Sequence, residues 1–429
     1  LVNGLANLND YVKVYNPFSG LASYCIDLER NKFFYGQEIM ESTWALGMLR
    51  LLAHNESNNI YDPTEDYIEN FPGNIVYDNA DSIDSWPKNK KFDLIVSTPP
   101  FISKIKSFLK SEITGQPYQD IESYLIENGV NSLNEDGRLI AVFSLSFLFS
   151  SNKNDKKIKK YLVDNNLIDT IIELPSGLFS NTNISICVIV LKKTSSRPEL
   201  IKFIDASSFV VGDNIKNRTL GYEEILKVVK QDTENKFFRN VSIEEVYNNE
   251  FDLSVRRYFL KEIQGEKLSN FSSIIRGFNA PVNTSMKQVQ IRNLKEDVFD
   301  SILSSEELED SLIKRPTFRV IEESCLLIAT RWNTLKPTYF RYSGEPIVIS
   351  SAIAAIKIDE NFVDPMFLVN EFSADYVLEQ VNSYRVGSVQ PMLRKKDLGE
   401  IVFQLPTMQE QKAKVSGIIE LSTRLRKIE

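Results

Sequence analysis

The sequence is poor in residues that bind metals and form disulfide bridges. Its 429 residues contain a single histidine, His54, and only three cysteines, which are far apart and form no CxxC pair or Cys/His cluster. A zinc site or a histidine-based catalytic triad is therefore close to excluded, and no metal is expected. This use of cysteine fits a reducing cytoplasm best, and the cytoplasm is the expected location.

Long apolar runs are also lacking. No segment is predicted to cross a membrane, and residues 1–12 do not resemble a secretory signal. The 50 lysines and arginines are outnumbered by 58 aspartates and glutamates, which gives a formal net charge of −8. An acidic balance argues against a protein that covers nucleic acid without selectivity. It does not exclude sequence-specific DNA binding, which needs only a local basic patch.

Short apolar runs alternate with amphipathic stretches in the first half of the chain, a pattern typical of strands joined by crossover helices. Helices are predicted over residues 40–53 and 118–134. The alternation indicates an α/β fold with a mainly parallel, doubly wound sheet. Strands are predicted over residues 12–15, 33–35, 74–77, 92–96, 137–143, 168–173 and 184–192.

The pattern changes after residue 198, where strand-rich and irregular sequence begins to replace the regular alternation. Residues 1–198 are predicted to form the first domain and residues 199–264 a connector. Residues 265–407 are predicted as an α+β domain. Residues 408–429 are predicted as a helix with near-heptad apolar spacing, which is expected to act as a spacer or to pair with a second copy or a partner subunit.

Polar and small residues follow the ends of the first three predicted strands, at the edge where α/β folds bind nucleotide-like ligands. A glycine there lets the backbone approach a ligand, and an acid after the second strand can accept hydrogen bonds from ribose hydroxyls. Each feature alone equally fits an ordinary turn or a solvated helix cap, but their succession favours a ligand site. The candidate ligand-binding residues are Asn16, Pro17, Gly20, Glu38, Ile39, Asp81 and Ser82.

The fourth predicted strand leads directly into the tetrapeptide Thr98-Pro99-Pro100-Phe101. Two consecutive prolines remove two backbone donors and hold the chain extended. The pair could simply terminate the strand. It could also form a rigid rim that presents carbonyl oxygens and an aromatic face at the edge of the sheet.

The tetrapeptide stretch FDLIVSTPPF, together with YGQEI, GRLIAVFSLSFLF and ELPSGLF, resembles the modification subunit of type I restriction-modification systems over roughly residues 12–194. The resemblance implies a Rossmann-like, S-adenosylmethionine-dependent DNA adenine-N6 methyltransferase, with the seven candidate residues above binding the cofactor. It also implies that the target adenine is flipped out of the duplex. Thr98 and the Pro99 carbonyl would then accept hydrogen bonds from its amine, next to Pro100, and Phe101 would stack on the base.

Three positions depart from the family pattern. Thr98 replaces the usual Asn or Asp, Asn16 replaces an acid, and Ala22 replaces a second glycine. The hydroxyl of Thr98 is shorter and must be oriented to accept a hydrogen bond, and losing one well-placed polar group at a reaction centre costs about 10²–10³-fold in rate. The family also has a helical segment ahead of the first strand, so we expect either a fragment of a longer chain or an incomplete cofactor site.

The second half resembles one half of a type I specificity subunit over roughly residues 265–429, most clearly in GSVQPML, which begins at residue 387, and in the final helix. This resemblance implies a target-recognition domain that binds double-stranded DNA. Base reading needs positioned amides and guanidinia. The candidates are Arg331, Trp332, Asn333, Lys336 and Arg341 in one loop between strands, with Arg394, Lys395 and Lys396 as phosphate contacts; each also fits a solvated surface.

The leading interpretation is an enzyme of a restriction-modification or phage-defence system that methylates adenine at a sequence chosen by its C-terminal domain. A catalytically reduced, methyltransferase-like subunit that binds DNA and positions a partner nuclease or methyltransferase is the alternative. An RNA or protein methyltransferase fits less well, because neither would need the specificity-like half.

Overall fold

The computed structural model divides the chain into two compact units, Leu1–Phe259 and Leu260–Glu429. No helix within the described ranges combines the length and the apolar character needed to span a membrane. Cys25, Cys187 and Cys325 are buried thiols. The structure describes residues 1–7, 11–26, 32–54, 60–61, 75–101, 104–105, 108–178, 184–194, 200–212, 218–297, 299–386 and 391–425.

A ten-stranded sheet forms the centre of the first unit, in the order β12-β9-β7-β8-β6-β5-β1-β2-β4-β3, while β10 and β11 pair separately. The strands are β1 (Lys13–Asn16), β2 (Phe33–Gln37), β3 (Ile60–Tyr61), β4 (Ile75–Asp78), β5 (Phe92–Ser97), β6 (Leu133–Ser144), β7 (Ile168–Glu173), β8 (Ile186–Lys192), β9 (Leu200–Asp205), β10 (Val210–Val211), β11 (Thr219–Leu220) and β12 (Phe238–Ser242).

Six neighbouring strands of this sheet, from β3 to β6, run parallel. Their carboxyl ends therefore lie along one edge, which is where the candidate site is expected. The seven predicted strands and the mainly parallel α/β class are confirmed. Both faces of the sheet are buried, since Val14 and Tyr15 of β1 belong to two different hydrophobic cores.

The helix predicted over residues 118–134 is shorter in the structure. Asp120 ends the preceding loop, and its carboxylate accepts a hydrogen bond from the backbone N–H of Ser123 at 2.8 Å, which fixes the start of the helix. At the other end, Leu133 begins β6. The helices of this unit are α1 (Val2–Ala6), α2 (Ser23–Ile26), α3 (Glu41–Ala53), α4 (Ile121–Asn131), α5 (Ser146–Phe149), α6 (Lys153–Asp164), α7 (Tyr222–Val229) and α8 (Ile243–Asn248).

The segment predicted as a connector contributes two strands to the sheet. β9 pairs parallel with β7, and β12 pairs antiparallel with β9. Ile201, Phe203 and Val241 are almost fully buried in the same core as Ile171 of β7. The sheet therefore extends into the predicted connector, because β9 and β12 bury apolar side chains against it.

A short 3-10 helix, Val255–Phe259, packs against the last strands of the first unit. The guanidinium of Arg256 in this helix lies 2.8 Å from the carboxylate of Glu173 at the end of β7. Burial raises the pKa of Glu173 to about 7, with Arg256 opposing the shift and Asp205 adding to it. The end of the unit is thus attached to the sheet through a carboxyl group that titrates near neutrality.

We expect Arg256→Ala to lower the free energy of unfolding by about 1–2 kcal/mol at pH 8 and by less at pH 5. The folded pKa of Glu173 lies above its ordinary value of 4.5, so the stability that this group contributes is complete below pH 4.5 and is lost as the pH rises to about 7. Removing Arg256 raises that pKa further and enlarges the loss. Urea unfolding at the two pH values measures it.

The control for this prediction is the same substitution in a Glu173→Gln background. There the cost of Arg256→Ala should not depend on pH, because no carboxyl group remains at this position. An equal loss at pH 5 and pH 8 in the native background would contradict the assignment.

Two five-stranded sheets, ordered β14-β23-β20-β21-β17 and β15-β19-β22-β16-β18, form most of the second unit. Successive residues of β20, such as Leu326 and Leu327, belong to different cores, so this strand is buried on both faces. The strands of the second unit are β13 (Glu266–Lys267), β14 (Ser272–Ile274), β15 (Phe278–Asn279), β16 (Ser285–Val289), β17 (Ile302–Leu303), β18 (Asp310–Leu312), β19 (Arg319–Ile321), β20 (Cys325–Ala329), β21 (Thr338–Phe340), β22 (Ile347–Ile349), β23 (Ile353–Ile358) and β24 (Val402–Phe403).

The last helix of the second unit begins as predicted at Met408, and residues 426–429 lie outside the described residues. Its buried Gln411 accepts a hydrogen bond from the backbone N–H of Asp364 at 2.8 Å, which joins it to the preceding helices. The helices are α9 (Leu268–Phe271), α10 (Pro365–Glu371), α11 (Asp375–Tyr384), α12 (Lys395–Gly399) and α13 (Met408–Leu425), with 3-10 helices at Ile291–Asn293 and Ser305–Glu307.

Candidate active site

The turn after β1 opens its backbone toward the carboxyl edge of the sheet. Gly20 has a φ of 53°, and a side chain built there would meet no heavy atom of the described residues within 4 Å. Ala22 has a φ of 54° and lies in the left-handed region that glycine favours. The position where the family has a second glycine therefore keeps a glycine-like conformation, at a cost of about 1–3 kcal/mol.

Glu38, just after β2, fixes this turn. One carboxylate oxygen accepts a hydrogen bond from the N–H of Gly20 at 3.0 Å, and the other accepts one from the N–H of Met40 at 2.9 Å. Each oxygen keeps a further lone pair for a ligand hydroxyl. The neighbouring side chain of Ile39 is 61% exposed and provides an apolar surface.

β4 and the loop that follows it are hydrogen-bonded to the same turn. The hydroxyl of Ser82 donates to the carbonyl of Pro17, and the hydroxyl of Tyr77 donates to the carbonyl of Gly20. Asp81 accepts a hydrogen bond from the N–H of Ile83 at 2.8 Å. The candidate residues after β1, β2 and β4 are thus brought together, although Ser82 serves to join two loops.

Asn16, at the end of β1, carries an unsatisfied polar atom. The side chain is fully buried, and its Nδ2 lies 3.4 Å from the hydroxyl of Ser19. Its Oδ1 has no hydrogen-bond partner within the part of the chain that the structure describes. A buried acceptor without a partner costs about 1–3 kcal/mol, which a ligand that donates a hydrogen bond would offset.

The tetrapeptide follows β5 at the same edge. Thr98 is partly buried, Pro99 is buried and Pro100 is exposed. The Oγ1 atom of Thr98 lies 2.8 Å from the phenol oxygen of Tyr24 in α2. The ring of Phe101 packs partly against the hydrophobic core on this face of the sheet.

A cavity of about 570 Å³ reaches the first residue of the tetrapeptide. Its size lies within the range of small-molecule sites. Thr98 and Tyr24 supply polar groups on a wall that is otherwise mostly apolar, with Val142 of β6 and Leu178 of the ELPSGLF stretch among its lining residues.

Two functional candidates that sequence reasoning missed are tyrosines. Tyr24 contacts Thr98 and Tyr77 contacts Gly20, and in each pair the two residues are more than fifty positions apart in the chain. No motif or spacing distinguishes these tyrosines from core residues. Only the folded arrangement shows their contacts.

In the second unit, the loop between β20 and β21 presents Arg331, Trp332 and Asn333 to solvent. The N–H of Leu393 donates to the carbonyl of Thr330 at 2.8 Å, so this loop lies next to the segment that carries the other predicted DNA contacts. That segment contains Lys395 and Lys396, both exposed, and Arg394, whose guanidinium pairs with Asp397.

Two residues predicted in this loop differ from the rest. Lys336 already forms a salt bridge within the protein, since its Nζ lies 3.0 Å from the carboxylate of Glu296. The same Nζ lies 5.9 Å from the centre of the Trp332 ring. The prediction that Arg341 lies in the same loop was wrong. The intervening residues form β21, because Thr338 and Phe340 are buried against β20, and Arg341 therefore lies at the opposite end of this hairpin.

Two family models cover most of the chain. The model of the N-6 DNA methylase family matches residues 9–267, which includes the strand ends described above. The chain belongs to this family. The model of the type I restriction modification DNA specificity domain matches residues 282–428 of this N-6 DNA methylase family member. The family match also extends through β9 and β12.

Curated relatives include methylase subunits of type I restriction enzymes. The MpnII methylase subunit of Mycoplasma pneumoniae is 29% identical over 293 residues, which are 63% of this chain and 50% of the relative. The HindI methylase subunit of Haemophilus influenzae is 22% identical over 303 residues, 62% of this chain and 64% of the relative. The chain thus spans less than two thirds of the length of either protein.

A solved structure shares the fold of the first unit. The methyltransferase subunit of a type I restriction-modification system from Streptococcus thermophilus is similar with a TM-score of 0.50 and 25% sequence identity. The similarity covers 59% of this chain and 56% of that one.

Gly36→Ala tests how closely the turn after β1 fits against β2. The new Cβ would lie 2.7 Å from the hydroxyl oxygen of Ser19 and from the ring of Phe34, so we expect a loss of about 1–3 kcal/mol in the free energy of unfolding. Gly417→Ala in α13 is the control, because it meets no described atom and should stabilise by about 0.5–1 kcal/mol. Denaturant unfolding measures both, and an unchanged midpoint for Gly36→Ala would contradict the close fit.

Proposed function

We propose that the chain is an S-adenosylmethionine-dependent DNA adenine-N6 methyltransferase of a restriction-modification or phage-defence system. The proposal rests mainly on the convergence of Asn16, Glu38, Asp81 and Thr98 at the ends of four parallel strands within the N-6 DNA methylase match. The specificity-domain match supports double-stranded DNA as the partner of the second unit.

The residues at the strand ends fit the groups of the methyl donor. The unpaired Oδ1 of Asn16 would accept a hydrogen bond from the ammonium group, and the Glu38 carboxylate would accept from the ribose hydroxyls. Ile39 offers an apolar face for the adenine ring, and Asp81 an acceptor for its amine. Gly20 and Pro17 shape the backbone of the turn, and Ser82 holds it in place. When bound, S-adenosylmethionine supplies an electrophilic methyl group.

The tetrapeptide would prepare the target adenine for transfer. The hydroxyl of Thr98 and the carbonyl of Pro99 would accept hydrogen bonds from the exocyclic amine, which localises the lone pair on the nitrogen. Pro99 and Pro100 fix the backbone in an extended conformation, so these acceptors are held in place before the base arrives. Phe101, whose ring packs partly against the core, would stack on the base.

Incubation with methyl-tritiated S-adenosylmethionine and unmethylated bacterial genomic DNA should place the label in N6-methyladenine, identified after digestion. Glu38→Ala should weaken binding of the methyl donor by about tenfold or more, because hydrogen bonds to a charged group contribute about 1.5–3 kcal/mol each. Glu135→Ala is a matched control, since this exposed glutamate lies near the start of β6, at the opposite edge of the sheet.

The outcomes separate two functions. Absence of both transfer and calorimetric binding of the methyl donor would contradict the enzyme. Binding of the donor and of DNA without transfer would favour the alternative, a catalytically reduced subunit that binds DNA and positions a partner nuclease or methyltransferase. The observation that supports this alternative is Thr98, which stands where the family has an amide or an acid.

For the second unit, we propose that DNA contacts the surface formed by the exposed residues of the β20–β21 loop and the start of α12. Burial and the nearby guanidinium of Arg319 lower the pKa of Lys395, so these two cations lie close together. Arg319 in β19 was not among the predicted contacts. Two cations close to one another suit a phosphate group. Arg331, Trp332 and Asn333 would contribute the contacts to bases, and Lys396 a further phosphate contact.

Arg331→Ala and Lys395→Ala should each weaken binding of a mixed-sequence DNA duplex several-fold. Lys395→Ala should in addition lower the slope of the logarithm of affinity against the logarithm of salt concentration by about the value of one phosphate contact. Arg341→Ala is a control of the same residue type, because its exposed guanidinium lies at the other end of the hairpin. Fluorescence anisotropy at two salt concentrations measures the affinities. Equal losses for Arg331→Ala and Arg341→Ala would contradict the proposed surface.

A further inference from the structure

The turn after β1 carries Tyr24 to the end of β5. The two residues that precede α2, Leu21 and Ala22, complete the turn, and Tyr24 is then the second residue of the helix. Its phenol oxygen lies 2.8 Å from Oγ1 of Thr98, and both side chains line the same 570 Å³ cavity. The residue that departs from the family tetrapeptide thus has a specific hydrogen-bond partner.

A hydroxyl group at this position differs chemically from the usual amide or carboxylate. The side-chain oxygen of Asn or ionised Asp carries no hydrogen and can only accept. The hydroxyl of Thr98 carries one hydrogen and can turn it toward the cavity, where it would oppose an incoming amine. To act as an acceptor, Thr98 needs a second group that takes its hydrogen.

Tyr24 can take that hydrogen. Burial raises the pKa of Tyr24, so the side chain is a neutral phenol whose oxygen can accept a hydrogen bond. The pair then has two arrangements. Either Thr98 donates to Tyr24 and offers its lone pairs to the cavity, or Tyr24 donates to Thr98 and the Thr98 hydrogen faces the cavity.

We propose that Tyr24 is a positioning residue that accepts the hydroxyl hydrogen of Thr98 and thereby makes Thr98 an acceptor for the amine of the target adenine. The inference rests on the proposed methyl transfer to adenine. When the amine enters, it donates to Oγ1 of Thr98, and the hydroxyl of Thr98 donates to the phenol oxygen. The hydrogen of Tyr24 turns away from the pair, and no bond is formed or broken in this arrangement.

The consequence is an effect on rate rather than on binding. The amine needs its acceptors most when the nitrogen lone pair attacks the methyl group, so losing the oriented acceptor lowers kcat. The methyl donor is held by residues after β1, β2 and β4, and the proposed DNA surface lies in the other unit. Neither the affinity for the donor nor the KM for DNA should therefore depend on the phenol hydroxyl.

Tyr24→Phe in two backgrounds tests the inference with tritiated methyl donor and unmethylated genomic DNA. In the native background, we expect kcat to fall about 10- to 100-fold, with donor affinity and KM for DNA changed less than about twofold. In a Thr98→Asn background, the same substitution should change kcat less than about twofold, because the amide oxygen carries no hydrogen. Tyr161→Phe in α6 controls for the loss of a phenol hydroxyl elsewhere in the unit.

The outcomes distinguish this inference from the function on which it rests. Equal losses of kcat from Tyr24→Phe in both backgrounds, or a weaker affinity for the donor at unchanged kcat, would show a structural role and overturn the inference alone. Transfer by neither the native protein nor Thr98→Asn would overturn the proposed function and the inference together. A large loss that is confined to the native background supports the inference.

Discussion

Both oxygens of the Glu38 carboxylate accept backbone hydrogen bonds, and the arrangement of the site depends on them. The N–H groups of Gly20 and Met40 belong to segments that follow two different strands, so one side chain aligns two strand ends. β1 pairs with both β2 and β5, and the tetrapeptide follows β5. The position of the tetrapeptide relative to the turn is therefore set by the same strand pairing. A turn held from one side in this way can carry α2, and with it Tyr24, to a fixed position at the end of β5.

The fold of the first unit was largely predictable because strands buried on both faces are continuous apolar runs that few other structures produce. β9 and β12 belong to the same sheet, but they lie in a stretch rich in polar helices, and no local pattern reveals that β9 pairs with β7 and β12 with β9. In the second unit, β21 has only three residues, Thr338–Phe340. A strand this short has too little alternation to be distinguished from a loop, which is why Arg341 was assigned to the wrong end of the hairpin.

The site was predictable only where the chain order itself determines position. Residues that directly follow parallel strands must lie at one edge, so Asn16, Glu38, Asp81 and Thr98 could be grouped from sequence. The sequence did not reveal three further residues, because each lies on an element remote in the chain from the residue that its side chain contacts or approaches: Tyr24, Tyr77 and Arg319. Their roles depend on distances that arise only when the elements pack together, and tyrosine or arginine at such positions equally fits a core or a solvated surface.

Two of the departures from the family pattern are physically connected. Ala22 keeps the left-handed conformation that a glycine would adopt without strain, and this conformation leads the chain into α2. The helix brings Tyr24 within hydrogen-bonding distance of Thr98, the other departure. A hydroxyl in place of an amide has lost its fixed acceptor character, and a neighbouring phenol is a group that can restore it. The departure at Ala22 therefore leaves the path of the turn into α2 as a glycine would have it, whereas the departure at Thr98 changes the chemistry at the end of β5, where Tyr24 is its partner.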